Sequence, residues 1–369
     1  MKHVAIFIGA ALCAAASQAM AAGATIHVAN NGLDTATCGS RNAPCRSIVR
    51  GADRASAGDT VLVAPGKYGD LNGDGLLGGP GEEVSSGPAA VRIGKPLRVV
   101  SSAGAALTVI DAGGGVWWTV DIDADGVTFG IAGGGFTMVG GQFEGLNCDG
   151  QTNVRIGGNI ASGSPAHGFV VYSNGTIEMS DNIAHGNTGA GIIIGSSLET
   201  SRVIVRNNQS YSNGTGIVSG TYGRHEIAYN EVSNNTGVGI SVDHTPSFIH
   251  HNVVTGNDMG IASNSWSPDQ PPSAGPVLYR NSLIGNTRFG IMVSVGPPVR
   301  TVVKENNFFG NGVSPDEFGR NCGLANFTNE TLNAVNSYWG ASSGPGAEPA
   351  DVACGNNPVV TTPFARSPN

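Results

Sequence analysis

The sequence is poor in charged residues and especially in lysine. Only 12% of the 369 residues are charged, and lysine occurs four times. With a formal net charge of −8, the chain lacks the clustered Lys and Arg side chains through which proteins hold nucleic acids and anionic membrane surfaces. We therefore expect no nucleic-acid partner.

Long apolar runs are lacking after the amino-terminal segment. There, Lys2 and His3 precede an apolar run over residues 4–16, and Ala19-Met20-Ala21 offers the small residues of a cleavage site. Residues 1–21 are therefore predicted to be a signal peptide, with a mature chain starting near Ala22 in a secreted or periplasmic protein. No later run reaches the roughly 18 apolar residues of a membrane span, so none is expected.

Cysteine is scarce, with five residues after the predicted signal peptide. Cys38 and Cys45 bracket a short loop, and Cys322 and Cys354 flank the last apolar segment, so we predict a disulfide at each place because export permits them. Cys148 is left over. No His or Lys adjoins it in sequence, which favours a small buried apolar side chain over a reactive thiol.

Glycine and apolar residues, by contrast, are plentiful. The chain has 57 Gly and is 40% hydrophobic, a composition too apolar for disorder and too rich in glycine for a helical enzyme. A long all-β protein with many turns fits this composition best.

An asparagine recurs with a period close to one coil of a solenoid. The asparagines in this register are separated by 23, 26, 22, 22, 29 and 25 residues and are Asn159, Asn182, Asn208, Asn230, Asn252, Asn281 and Asn306. Three positions before each stands an apolar residue, from Ile156 to Val303, and five positions after it stands Ser164 or another Asn. A Gly follows eight or nine positions after the mark, and in most coils Phe or Ile comes next.

The repeats predict a right-handed parallel β-helix, a single-stranded solenoid. Each short strand supplies only a few inward side chains, so coils must stack at about 4.8 Å to form a continuous core. Asn and Gly tolerate the left-handed backbone that corners need, and stacked Asn side chains bond their neighbours. We expect one domain over residues 22–369, with 22–66 as the amino-terminal cap and first strand, 150–312 as the most regular coils and 313–369 as the carboxyl-terminal end.

Several segments carry a family resemblance. The opening "TIHVANNGLDTATCGSRNAPCRSIVRGADRASAGDTVLVAPGKY" and the late "NSYWGASSGPG" resemble the right-handed β-helix (pectin lyase-like) superfamily, which includes pectate lyases, alginate lyases and mannuronan epimerases. The repeat "GFVVYSNGTIEMSDNIAHGNTGAGIIIG" is similar to those of the epimerases and of NosD-like periplasmic proteins. The resemblance implies a short amphipathic helix over residues 47–57 that caps the open end. Activity does not follow from it, because the same coils serve lyases, hydrolases, epimerases and adhesins.

The catalytic motifs of these enzymes are not reproduced. The epimerase Asp-Pro-His is lacking, and Val242-Asp243-His244 is the nearest stretch. Ser241 stands where one pectate lyase family has Trp in Trp-Ile-Asp-His, and the accompanying Arg-x-Pro-x-x-Arg is missing. The resemblance therefore assigns no catalytic residue.

Residues at equal distance from the recurring Gly-Ile step predict a shallow trough. Four to six residues after the Gly, successive coils bring aromatic, polar and acid–base side chains to one line, including Tyr172, Tyr222, Asp243, His244, Asn264 and Trp266. Such a line suits a sugar-binding surface, with Asp243 and His244 as candidate catalytic residues and the others as substrate-binding candidates. The alternative is that the Asp-His pair only satisfies a turn.

A second line, directly before the register asparagine, holds mixed polar and aromatic residues: Asp181, Asn207, Tyr229, His251, Arg280 and Glu305. It is either another groove, to which Arg280 contributes as a substrate-binding candidate, or a solvated strand end. His250 and His251 are expected to point to opposite sides of their strand, because adjacent residues alternate.

The loop "DLNGDG" has the spacing of a calcium loop. Asp70, Asn72 and Asp74 alternate as oxygen ligands do in such loops, and the following Gly permits a tight turn. Glu82 comes one position later than the EF-hand pattern requires. The loop predicts a calcium site formed by these four residues, and a polar insertion between coils is the alternative.

Two function classes stay open at this point. In the first, a secreted enzyme, a lyase or a hydrolase, acts on an acidic polysaccharide. In the second, a non-catalytic envelope or surface β-helix serves as an adhesin or binding scaffold. We expect a monomer in either class.

Overall fold

The computed structural model describes residues 23–84, 87–220, 222–243, 246–264, 275–294, 301–313 and 321–369. The predicted signal peptide, His244 and Trp266 therefore lie outside the described residues. Within them the chain winds through three parallel sheets of 11, 11 and 10 strands, visited in turn by each coil.

The strands of the first sheet are Ala89–Ile93, Trp118–Ile122, Glu144–Gln151, His167–Ser173, Ala190–Ser196, Thr215–Ser219, Val238–Asp243, Met259–Asn264, Phe289–Ser294, Cys322–Phe327 and Val352–Gly355. Those of the second sheet are Thr25–Val28, Thr60–Val63, Arg98–Ser101, Thr128–Phe129, Val154–Gly157, Thr176–Ser180, Arg202–Arg206, Glu226–Ala228, Phe248–His250, Val277–Tyr279 and Val302–Lys304. Those of the third sheet are Gly66–Gly69, Thr108–Asp111, Thr137–Val139, Ile160–Ser162, Ile183–His185, Gln209–Tyr211, Glu231–Ser233, Val253–Thr255, Ser282–Ile284 and Asn307–Phe309. Leu332–Asn333 and Val359–Val360 pair separately.

The predicted fold class, an all-β parallel solenoid with very little helix, is confirmed. The apolar residues that precede the register asparagines pair coil to coil, as Ile156 does with Met179 and Val205 with Ile227. All seven are buried in one core that runs along the solenoid. Alternation along a short strand explains this, since every second side chain points inward.

In the regular coils, two corners are built on buried asparagines. At the first corner, between the second and third sheets, the Oδ1 atom of Asn230 accepts the Asn208 backbone N–H at 2.9 Å. Asn230 in turn donates from Nδ2 to Asn252 Oδ1 at 2.9 Å and to the Val205 carbonyl. The second corner, between the third sheet and the next coil, repeats the arrangement around Asn235.

The recurring Gly-Ile step has a packing reason. At the start of each first-sheet strand, the backbone lies so close to the next coil that a Cβ atom on Gly239 would sit 2.7 Å from the Gly260 carbonyl oxygen. The following Ile240 and Ile261 are fully buried. Glycine is needed for the close approach, and the next residue fills the core.

The amino-terminal end is closed by the predicted helix, which is shorter than expected. It spans Ile48–Arg54, with Ser47 as its N-cap and Ala55 after its last turn. The buried Glu83 carboxylate accepts the backbone N–H groups of Ile48 and Val49. Burial raises the pKa of Glu83 to about 7, although these two hydrogen bonds lower it.

Both predicted disulfides are present, Cys38–Cys45 and Cys322–Cys354. Cys148 is free and fully buried, as predicted, and burial raises the pKa of its thiol. The two disulfides fit an oxidising compartment. In the part of the chain described here, no helix has the length and apolar character needed to span a membrane.

Candidate functional site

Residues at the offsets used to predict the trough pair in register on the first sheet. Strand pairing aligns Tyr172 with Gly195 and Asp243 with Asn264, so the equal offsets read from the sequence correspond to neighbours in space. Ser294 extends the line, and its hydroxyl donates to Asn264 Oδ1 at 2.9 Å.

The candidate residues of the trough are nevertheless dispersed. Tyr172 and Asp243 are three coils apart, about 14 Å at the usual spacing between strands. Asp243 is half-buried at the end of its strand, and Tyr222 is exposed beyond the end of Thr215–Ser219. Arg280 follows a second-sheet strand, so it lies on a different sheet from the trough. The catalytic role of Asp243 and His244 stays a prediction.

The predicted calcium loop is held by its own backbone. Asp70 accepts the N–H groups of Gly73 and Gly75, at 2.7 and 2.9 Å. Glu82 accepts those of Leu71 and Asn72 with Oε1. The described carboxylates of Asp70, Asp74 and Glu82 do not all lie within 4.8 Å of one another. Calcium binding would need these oxygens to converge further, and it stays a prediction.

The second predicted line forms a much denser cluster. We call it the aromatic face, defined by the following residues of the second sheet and its first corner: Tyr229, Phe248, His250, His251, Tyr279, Arg280 and Lys304. Tyr229 is 53% exposed and Phe248 39% exposed. These side chains come from four consecutive coils, so the surface runs along the solenoid axis.

The rings of the aromatic face contact one another. Tyr229 stacks on His251 with ring centroids 5.0 Å apart, and His251 meets Tyr279 edge to face at 5.8 Å. Phe248 and Tyr279 are stacked at 6.2 Å. The result is a continuous strip of π surface open to solvent at Tyr229 and Phe248.

Cations flank the strip. Arg280 Cζ lies 5.1 Å and Lys304 Nζ 5.2 Å from the centre of the Tyr279 ring, within reach of a cation–π interaction. Arg280 also pairs with Glu305, Nε to Oε2 at 3.0 Å. Lys304, a positive group on an acidic protein, is exposed.

Beneath the rings lies a buried carboxylate. Glu226 is 6% exposed and binds Arg202, Arg206 and His250. Burial alone would raise the pKa of Glu226, but hydrogen bonds and charge from Arg206, with bonds from His250 and Arg202, lower it below its usual value. Glu226 is therefore ionised at neutral pH.

The first corner places large residues in the left-handed backbone region. Its residues have φ between 51° and 67° and are Gly158, Asp181, Asn207, Tyr229, His251, Arg280, Glu305 and Asn336. This backbone turn brings the rings of His250 and His251 together, Nδ1 to Nδ1 at 2.9 Å. The expectation that the two histidines point apart was wrong, because strand alternation ends where the chain turns.

Sequence reasoning found part of this surface and missed the rest. Tyr229, His251 and Arg280 were recognised as one line, whereas Glu226, His250, Phe248, Tyr279 and Lys304 were not assigned. The signal was present in the repeats: these residues stand one to four positions before the register asparagine in adjacent coils.

Comparison with known proteins identifies the family. A family model described as the right handed beta helix region matches residues 144–338, just over half of the chain. The chain belongs to this right-handed β-helix family. A search of curated proteins gives no match.

Several solved structures match this chain at low sequence identity. The Dettilon tailspike protein is 14% identical with a TM-score of 0.49, and the match covers 83% of this chain and 63% of the tailspike chain. Pectate lyase Pel9A is 15% identical with a TM-score of 0.46, covering 93% of this chain and 79% of the lyase. A GH136 lacto-N-biosidase from Eubacterium ramulus is 12% identical with a TM-score of 0.47, covering 93% and 68%. This β-helix thus spans less than two thirds of the tailspike's length, and its function has to be argued from its own surface.

Proposed function

We propose that the protein binds an acidic polysaccharide along the aromatic face. The observation that carries this proposal is the placement of Tyr229, His251 and Arg280 at left-handed corner positions. Holding a bulky residue there costs on the order of 1–3 kcal/mol, whereas Gly or Asn tolerates it.

At the second corner of the same solenoid, the left-handed positions are held mostly by residues for which this backbone costs less free energy. Its left-handed residues are Gly163, Gly186, Ser212, Asn234, Gly256, Gly285 and Gly310. Both corners make the same backbone turn, so the turn itself does not demand Tyr or His. Core packing does not demand them either, since Tyr229 is largely exposed. Contact with a ligand accounts for the difference.

The chemistry of the strip fits an acidic sugar chain. Sugar rings present apolar C–H faces that pack on aromatic rings, and successive rings along the axis suit a linear polymer. Arg280 and Lys304 supply positive charge for carboxylates beside those rings. Binding of this kind is common to an enzyme and to a surface scaffold.

Tyr229→Asn tests the proposal because it separates binding from folding. Asparagine suits the left-handed backbone, so the melting temperature should stay unchanged or rise. Loss of the exposed ring should weaken binding of a polyuronate about tenfold, the equivalent of about 1.4 kcal/mol. Isothermal titration calorimetry with polygalacturonate and alginate measures the affinity.

Ser212→Asn is the matched control. Ser212 has the same left-handed backbone at the second corner, with φ of 56°. Its replacement by Asn should leave both stability and polyuronate binding unchanged. Unaltered polyuronate affinity in Tyr229→Asn, or no binding by the wild-type protein, would contradict the proposal.

A further inference from the structure

The first corner brings two imidazole nitrogens together. His250 Nδ1 lies 2.9 Å from His251 Nδ1, although adjacent residues on a strand normally point to opposite faces. The convergence depends on the left-handed backbone of His251, whose φ is 54°. The turn itself does not require two histidines, because the same two positions of neighbouring regular coils hold Ser180 and Asp181, Arg206 and Asn207, Ala228 and Tyr229, Tyr279 and Arg280, and Lys304 and Glu305.

The distance between the two nitrogens matches the spacing of two ligands on one metal ion. Imidazole nitrogens bind a zinc ion at about 2.0–2.1 Å, and at that bond length two of them at a right angle stand about 2.9 Å apart. At a tetrahedral angle they would stand about 3.4 Å apart. Right angles are typical of Cu²⁺ and Ni²⁺ sites. The observed 2.9 Å therefore favours an ion of this geometry.

A carboxylate supports the first of these ligands from the preceding coil. His250 places its other nitrogen, Nε2, 3.2 Å from Oε1 of Glu226, which also binds Arg202 and Arg206. A carboxylate held by two arginines accepts hydrogen bonds, so the hydrogen lies on Nε2 and the Nδ1 lone pair of the neutral ring points away from Glu226. Metal-binding histidines commonly have such an outer carboxylate, which orients the ring and raises its basicity.

Neighbouring aromatic rings hold both imidazoles in position. His251 stacks on Tyr229 with ring centroids 5.0 Å apart and meets Tyr279 edge to face at 5.8 Å. His250 packs against Phe248 with centroids 4.1 Å apart. Ligands whose rings are already fixed by packing lose little freedom when an ion binds, so the pair is preorganised.

The surroundings leave the remaining coordination positions to water. Among the described residues, no third His, Cys or carboxylate joins the pair in a group whose ligand atoms all lie within 4.8 Å of one another. His251 is only half-buried, which gives an ion access from solvent. The nearby arginines oppose a cation only in part, because Glu226 and Glu305 pair with them.

We propose that His250 Nδ1 and His251 Nδ1 bind one divalent transition-metal ion, with Glu226 as a positioning residue behind His250. This inference goes beyond the proposed function of the aromatic face and needs no sugar. The ion replaces whatever proton lies between the two nitrogens, as metal binding to histidine does in general. Imidazole ligands favour nickel, copper and zinc, whereas calcium prefers oxygen, so this site differs in chemistry from the predicted calcium loop.

Titration calorimetry of the tag-free protein with Ni²⁺ tests the site. The wild type should bind one ion at this corner, and His251→Asn should lower the affinity about tenfold or more, since loss of a ligand costs at least as much as loss of its outer partner. Asparagine tolerates the left-handed backbone, so this variant should keep its fold and its melting temperature. His185→Ala removes a histidine stacked on Tyr211 in the third sheet and should bind Ni²⁺ as the wild type does.

Glu226→Gln tests the positioning role. The amide keeps the shape of the side chain and loses its charge, and the Ni²⁺ affinity should fall by about tenfold. Wild-type protein that binds no Ni²⁺, or Ni²⁺ affinity unaltered in His251→Asn, would overturn the inference. Equal affinity of this corner for Ca²⁺ would overturn the assigned class of ion. Protein that binds Ni²⁺ at the histidine pair but no polyuronate would support this inference and contradict the proposed function.

Nitrogen NMR with Zn²⁺, which is diamagnetic, identifies the ligand atoms. The Nδ1 signals of His250 and His251 should shift as zinc is added, while both Nε2 atoms stay protonated. The ring signals of His185 should stay unchanged. Zinc bound through Nε2 of His251 would overturn the geometry proposed here.

Discussion

At the residue scale, the role of a corner side chain depends on whether it points into the solenoid or out to solvent. Asn230 and Tyr229 are adjacent in sequence, yet Asn230 is 1% exposed and bonds three coils together, whereas Tyr229 faces solvent. A left-handed residue stands at the same place in the regular coils, from Gly158 to Glu305. Polar residues inside the turn hold neighbouring coils together, and residues on its outer side face solvent.

Asp351 illustrates the cost of a buried charge at such a corner. It is fully buried where the second asparagine ladder ends, and it accepts the Asn311 side-chain amide at 2.7 Å. Burial raises the pKa of Asp351 to about 6, although the hydrogen bonds from Asn311 lower it. The folded state therefore binds a proton more tightly than the unfolded chain does.

This gives a pH prediction for Asp351→Asn. Because the folded pKa is raised, the stabilisation is present at low pH and is lost as pH rises through about 6. Asparagine keeps an acceptor and does not titrate, so the variant should match the wild type near pH 4 and exceed it at pH 7, by on the order of 2 kcal/mol. Urea unfolding at several pH values measures this, and parallel curves for the two proteins would refute it.

At the element scale, the asparagine ladders hold the corners where the strands are too short to do so. Third-sheet strands in the regular coils have three residues. Each ladder side chain satisfies donors and acceptors in the coils above and below, so the corner is bonded even though no regular strand passes through it. Burial makes each of these bonds costly to lose.

Asn230→Ala should therefore be strongly destabilising. It leaves the Asn208 backbone N–H without its side-chain acceptor and the Val205 carbonyl without this side-chain donor in a buried corner, while the Asn208 side-chain amide keeps the Met179 and Arg206 carbonyls. At about 1–3 kcal/mol for each unsatisfied group, we expect a loss of roughly 3 kcal/mol or more. Chemical denaturation measures it, with Asn333→Ala at an exposed strand position as the control, expected within about 0.5 kcal/mol of wild type. Equal effects from the two variants would show that the ladder contributes little.

At the scale of the whole molecule, the net charge of −8 and the local charge of the aromatic face have opposite signs. An acidic protein repels polyanions except where cations are concentrated. Arg202 and Arg206 lie on the same sheet as Lys304, and Arg280 follows a strand of that sheet, so stacking brings to one side cations that are dispersed in the sequence. Glu226 pairs with Arg202 and Arg206, and Glu305 pairs with Arg280.

Salt should consequently weaken binding of an acidic polysaccharide. Raising the ionic strength from about 0.05 to 0.5 M screens exposed charges beyond a few ångströms, so affinity for polygalacturonate should fall several fold. An uncharged polymer such as a neutral galactan should show no comparable change if it binds at all. Calorimetry at the two salt concentrations checks this, and salt-independent binding would argue against a role for Arg280 and Lys304.

The solenoid follows from local features of the amino-acid sequence. Strands, corners and register follow from three repeated features: the spacing of Asn159 to Asn306, the apolar residue three positions earlier and the Gly-Ile step. They do so because each regular coil repeats the same residue pattern and the same local geometry. The disulfides and the buried Cys148 followed from context in the same way. Local periodicity is a property that a linear chain displays directly.

Which outward-facing residues contact one another depends on how the coils stack. Glu226, His250 and Tyr279 lie in three different coils. The contact of His250 with Glu226 and that of Phe248 with Tyr279 depend on how a coil of 22 residues stacks beneath one of 29. The meeting of His250 with His251 depends on a left-handed φ of 54° at His251, a backbone region that residues other than glycine seldom adopt. Side-chain contacts across coils arise from the packed whole, and for that reason the contacts of the aromatic face could not be read from the repeats.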